Sequence, residues 1–213
     1  MGNRRLGARR LNALLGQKLA EDNTNRAGAG SDSFVVSNIV SRRGSEVVTE
    51  ITVDLGSSKG AAFMSGDAGE VIAFSSSGGG GAAEAQTGGA AYLAQLTPAV
   101  NGYIYGAEMI CTELPLPSAA QDIDLKAGTT ATTQFSGTVA GSPKTLIDIE
   151  TTWALGAYEA SGSFALEGAF LDTGLDNYYL YLTKGSATDS LKHEYTAGKY
   201  TIRLLGVLAT EDK

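Results

Sequence analysis

The sequence predicts an all-β protein: an antiparallel β-sandwich, jelly-roll-like, carrying an N-terminal helical arm. Three observations lead there. Glycine stands at 28 against 4 prolines, and apolar residues are scattered in short runs, a composition of many short strands joined by turns rather than of long helices. Several of those runs alternate with period two, as a strand with one buried face must. Nothing in the 213 residues shows a βαβ rhythm or an internal repeat, which leaves a sandwich or jelly roll of about eight strands as the expected architecture.

The chain divides into an arm over residues 1–33 and a body over 34–213. Residues 1–43 hold eight Lys or Arg against three acids, a balance of +5, whereas residues 44–213 hold 8 against 20, a balance of −12. The first eighteen residues carry five basic side chains and no acid. Within 3–20, Leu11, Leu14, Leu15 and Leu19 recur at i, i+3, i+4 and i+8, one face of a short amphipathic helix. Gly7 and Gly16 weaken it, so alone in water it is marginal. EDNTNRAGAGSDS (21–33) has the small, polar composition of a linker.

In the body, EVVTEITVDL places Val47, Thr49, Ile51, Val53 and Leu55 on one face and Val48, Glu50, Thr52 and Asp54 on the other. FVVSNIV (34–40) precedes it across an Arg42-Arg43-Gly44 turn, and VIAF (71–74) is a weaker strand before the glycine-rich loop 75–89. AYLAQLT (91–97) and GYIYGAEMICTEL (102–114) read as two strands linked through Pro98 and Asn101-Gly102. DIDL (122–125), TLIDIE (145–150), NYYLYLTKG (177–185) and KYTIRLLGVLA (199–209) complete the strands, and 151–170 is ambiguous between loop, short helix and strand.

Composition and motifs exclude several classes of function. One cysteine, Cys111, permits no internal disulfide, and one Cys with one His permits no zinc spacing. No apolar run reaches the length of a membrane-spanning helix. Met1-Gly2 lacks the Ser or Thr that myristoylation wants, since Leu6 stands there. The stretch after the paired arginines is too short and too polar for a secretion signal. The acidic body repels phosphate, so nucleic acid is not an expected partner. His193, in the polar connection LKHEY, is the only imidazole and reads as a solvated surface side chain; no G-x-S-x-G elbow surrounds any serine. A phosphate loop fails because Tyr200 follows Gly198-Lys199.

Two weaker constellations remain. Asp122 with Asp124, and Asp148 with Glu150, lie two apart and share a strand face; both pairs read as solvated outer faces opposite Ile123/Leu125 and Ile147/Ile149. Asp172, Asp176 and Asn177 around Gly174 offer oxygen ligands in a tight turn, without the regular alternation of a calcium loop, and read as a turn. Neither a metal nor a cofactor is expected. Tyr103, Tyr105, Tyr178, Tyr179 and Tyr181 are candidate interface aromatics, with Tyr179 and Tyr181 on one strand face and Tyr178, Leu180 and Leu182 on the other.

The RR-L-x-A-RR-L arm, EVVTEITVDLGSSKG, AYLAQLT-x-x-x-NGYIYGAEMICTELP, IDL, NYYLYLTKG and TAGKYTIRLLGV together resemble small virion proteins of marine and cyanobacterial tailed phages. The resemblance spans mainly 1–60, 90–125 and 177–208; the 78–89 tract and 151–170 have no counterpart in it. It implies a capsid-associated decoration or structural protein with a β-sandwich body and no enzymatic activity. The expected partners are then the major capsid protein and further copies of this chain, as a homotrimer, on the capsid surface of a virion assembled in the host cytoplasm. Arg4, Arg5, Arg9 and Arg10 would pair with capsid carboxylates, while Leu11, Leu14, Leu15 and Leu19 would fill an apolar groove. The alternative is a head-fibre or tail-associated protein that recognises host glycans through its tyrosines.

Overall fold

The computed structural model describes residues 17–18, 35–56, 61–64, 68–75, 92–116, 122–131, 138–141, 143–149, 152–160, 175, 177–185 and 193–208. The strands are β1 (Gln17–Lys18), β2 (Val35–Arg43), β3 (Glu46–Asp54), β4 (Ala61–Met64), β5 (Ala73–Ser75), β6 (Tyr92–Gln95), β7 (Tyr103–Leu116), β8 (Ile123–Gly128), β9 (Lys144–Ile147), β10 (Tyr158–Ala160), β11 (Tyr179–Lys184), β12 (His193–Glu194) and β13 (Ala197–Val207). They form three antiparallel sheets, in the orders β1-β2-β3-β13-β7-β10, β6-β11-β8-β9 and β12-β4-β5. The protein is all-β, and the described helix is the single turn Pro98–Asn101.

Strand β3 follows its sequence pattern: Val47, Thr49, Ile51, Val53 and, just beyond it, Leu55 are buried while the residues between them are half-buried. A two-residue turn joins it to β2, with Arg43 opposite Glu46. Gly44 there sits at φ 65°, a conformation that costs a residue with a Cβ and that matches the right-handed twist of the strands. The alternation of β13 buries Tyr200, Ile202 and Leu204 beside Ile51 and Val53. One apolar cluster joins these to Ile104, Ala107 and Met109 of β7 and to Leu93, Ile123, Leu125, Ile147, Leu180 and Leu182 of the four-stranded sheet. Each such side chain removed from water stabilises the fold by about 1.5–3 kcal/mol before the entropy of ordering is subtracted.

The four-stranded sheet departs from the expected half-buried pattern. Strand β8 is buried on both faces: Ile123, Leu125 and Ala127 enter the main cluster, while Asp122 and Asp124 are also only 3% exposed. The solvated face expected for this carboxylate pair is therefore corrected. Its cause lies in two distant segments: Val71 bridges to Thr183 and Glu70 to Thr138, so that Val71, Ala73 and Val139 cover Tyr181 on that side. Asp148 does remain exposed.

The turn between β6 and β7 fastens the two larger sheets together. Asn101, buried, accepts the Thr97 amide on Oδ1 at 2.9 Å and donates from Nδ2 to Thr49 Oγ1 at 2.9 Å. Arg42 donates to the carbonyls of Ala99 and Val100. Gly206 passes so close that a Cβ there would lie 2.1 Å from the Asn101 carbonyl oxygen. Asn101→Ala removes the partners of the half-buried Thr97 amide and of the buried Thr49 hydroxyl. It is expected to destabilise the protein by about 2 kcal/mol, read as a lower urea midpoint at unchanged slope.

Three expectations are met differently or lie elsewhere. The helix expected over 3–20 lies outside the described residues except for Gln17 and Lys18, which pair as a strand with Arg42 and Ser41. His193, expected in a connection, has its backbone in β12, paired with Met64. In the ambiguous 151–170 stretch, Trp153 is buried and β10 adds an edge strand against β7.

Candidate interaction face and buried carboxylate cluster

The outer face of the six-stranded sheet is built by the residues that alternate away from the core. Cross-strand register lines up Ile39, Glu50, Arg203, Glu108 and Ala160 in one row, and Thr52, Thr201, Ile110 and Tyr158 in the next. Arg203 Nε donates to Glu50 Oε2 at 2.9 Å, and Glu108 stands opposite Arg203 on the other side. The Tyr158 hydroxyl bonds to Glu108, which together with slight burial pushes its ionisation up. Further along, Lys199 Nζ lies 2.5 Å from Glu113 Oε2 and 3.5 Å from Asp54 Oδ2, and these carboxylates hold the ammonium above its ordinary range. Arg203 and Lys199 thus each stand between two carboxylates.

Among these charges the face also carries apolar and aromatic side chains. Tyr105 is 37% and Tyr158 51% exposed, and Val48, Ile110, Leu205 and Tyr103 are half-buried. Tyr105 owes its position to an irregularity: Leu205 pairs with Gly106 and the next residue, Gly206, with Ile104. One extra residue in β7 is thereby turned outward, the signature of a bulge. Tyr158 and the 65%-exposed Leu155 come from the stretch whose sequence was ambiguous, because a three-residue strand is too short to show a period.

The five tyrosines singled out from sequence do not form one platform. Tyr103 and Tyr105 lie in the six-stranded sheet, and Tyr179 and Tyr181 in the four-stranded one, with Tyr178 immediately before them. The alternation holds, since Leu180 and Leu182 enter the main cluster with Tyr178 packed against it. Tyr181, however, is fully buried within the chain and donates its hydroxyl to the Thr130 carbonyl at 2.8 Å. Tyr179 meets Tyr92 edge-on, with ring centroids 5.0 Å apart, and Lys144 Nζ stands 5.5 Å from the Tyr178 ring centre, a cation–π contact. The arm residues Arg4, Arg5, Arg9, Arg10, Leu11, Leu14, Leu15 and Leu19 lie outside the described residues, as do Asp172, Gly174 and Asp176; Asn177 occupies an exposed turn at φ 60°.

The second constellation is the carboxylate cluster at β8. Asp124 Oδ1 accepts the Ile149 amide at 3.3 Å, and Oδ2 lies 3.4 Å from Lys126 Nζ. Burial, with Asp148 and Asp122 nearby, pushes the Asp124 carboxyl up to about 6, against the opposing pull of Lys126 and the Ile149 amide. That makes it a group that changes charge close to neutrality. Among the described residues, no group of three His, Cys, Asp or Glu side chains could hold a metal ion. Burial also raises the Cys111 thiol, which donates to the Glu113 carbonyl at 3.4 Å; such a thiol stays protonated.

Comparison with protein-family models, with curated proteins and with solved structures returns no match.

Proposed function

We propose that this chain is a non-enzymatic structural protein of a phage virion, a capsid decoration or cement protein that docks on the head through its N-terminal arm. Its body would be a jelly-roll-like β-sandwich, homotrimeric on the capsid surface, and residues 1–33 would run over the major capsid protein or reach between neighbours. The reading rests on the sequence resemblance and on one structural observation: β1 joins the arm to the rim of the six-stranded sheet, beside Ser41 and Arg42. A basic, leucine-striped segment next to a sheet edge would engage a second protein while the body keeps its own core. Deleting residues 1–20 is expected to abolish cosedimentation with expanded heads at protein concentrations that saturate the intact chain. The truncated body should keep its β circular-dichroism spectrum, and retained binding by it would overturn the reading.

The outer face favours a second reading, host-glycan recognition by a head-fibre or tail-associated protein, because Tyr105 and Tyr158 present exposed rings and Tyr158 bonds to the Glu108 carboxylate. Aromatic rings stack on sugars and carboxylates bond to hydroxyls. Glycan-array binding that disappears in Tyr105→Ala and Tyr158→Ala would favour this reading over the first.

A further inference from the structure

The outer face of the six-stranded sheet has an unbalanced charge pattern. Arg203 stands between Glu50 and Glu108, and Lys199 between Asp54 and Glu113. Each trio carries one cation for two carboxylates, so each has room for another cation. Half-buried Val48, Ile110 and Leu205 and the exposed ring of Tyr105 lie among them. Basic residues combined with a leucine stripe complement such a surface, and that is the composition of residues 1–16.

The chain is also routed there. Strand β1 pairs Gln17 with Arg42 and Lys18 with Ser41, so the segment ahead of it leaves at the β2–β3 turn, the end of the sheet where Val207 meets Glu46 and Tyr103. At that end the inner side is filled by the turn Thr97–Asn101, held by Arg42 and Asn101. The outer side carries Ser41, Arg43, Glu46 and Val48, half-exposed or exposed. Distance is no obstacle. Residues 1–16 as a helix would run about 24 Å, and six strands spaced about 4.8 Å apart span about the same width.

We propose that, in the unassembled protein, residues 1–16 lie across the outer face of their own six-stranded sheet. Their arginines complete the Glu50–Arg203–Glu108 trio, and their leucines cover Val48, Ile110, Leu205 and Tyr105. This goes beyond the docking reading and holds whatever the final partner is: the arm is stowed on the body until a competing surface takes it.

The test uses the full chain, free in solution. Trypsin cleavage after Arg9 and Arg10, followed by intact mass, is expected to be about tenfold slower in the wild type than in E50K/E108K, because cleavage tracks the population of released arm. The protection should fade as salt is raised, as exposed ion pairs do. From the other side, R9E/R10E leaves the folded body untouched and should make Tyr105 several-fold more reactive to tetranitromethane. Combining R9E/R10E with E50K/E108K should restore the low reactivity. Equal cleavage of wild type and E50K/E108K, or Tyr105 nitration indifferent to R9E/R10E, would overturn the proposal. So would protection that grows with protein concentration, which would place the arm on a neighbouring copy.

Discussion

Trp153→Ala is expected to remove about 3–5 kcal/mol of stability, a large share of what a domain of this kind possesses. Trp153 is 2% exposed, meets Tyr200 edge-on with ring centroids 5.4 Å apart, and donates Nε1–H to the Ile123 carbonyl at 2.8 Å. Alanine leaves a cavity beside Tyr200 and strands that carbonyl in the core. The ring ties three elements, β8, β13 and the segment leading into β10, so its loss loosens both larger sheets at one point. Urea unfolding followed by circular dichroism should show a much lower midpoint with little change in slope. Trp153→Phe retains an aromatic ring without the donor and is expected to cost less. A wild-type midpoint for Trp153→Ala would mean that residues 152–160 do not pack on the core.

Asp124 makes stability depend on pH in a direction opposite to most carboxylates. Its ordinary value is 3.8 and the folded protein holds it at about 6, so between these values the native state binds more protons than the unfolded one. Stability from this group is therefore greatest below about pH 4, falls as pH rises to about 6, and is flat beyond. The shift corresponds to less than about 3 kcal/mol, and screening by solvent brings the expected effect nearer 1–2 kcal/mol. Asp124→Asn keeps an oxygen for the Ile149 amide and removes the titration. It is expected to stabilise the protein at pH 7.5, leave it nearly unchanged at pH 4, and flatten the profile between. Urea midpoints across that range, followed by the fluorescence of Trp153, provide the measurement; parallel profiles for wild type and variant would rule out Asp124 as the source.

The strands with one buried face were legible residue by residue. Val47 to Leu55 and Tyr200 to Leu204 alternate in sequence because they alternate between core and outer face. Asp122 and Asp124 were misleading for a physical reason. Alternation records that two faces differ, and it cannot record that chain from residues 70–73 and 138–141 will cover the polar one. Tyr105 was visible as a candidate interface aromatic, but the bulge that turns it outward depends on its register with Leu205 and Gly206, a partner chosen from a hundred residues away. Tyr158 lay in a stretch with no period to read. Which tyrosines share a surface is decided by strand order, and nothing local in NYYLYL or GYIYG encodes that order.

That strand order has a consequence for how the protein is made. Strand β13, the last of the described strands, lies between β3 and β7 at the middle of the largest sheet. A nascent chain that has emerged only to residue 196 would therefore carry β3 and β7 with open edges, both waiting for the same segment. Contacts this distant in sequence close slowly, and exposed edges invite pairing with other chains. Production at lower temperature or with chaperone capacity should raise the soluble yield. A nonsense mutation just before Ala197 should yield insoluble protein rather than a slightly shortened fold.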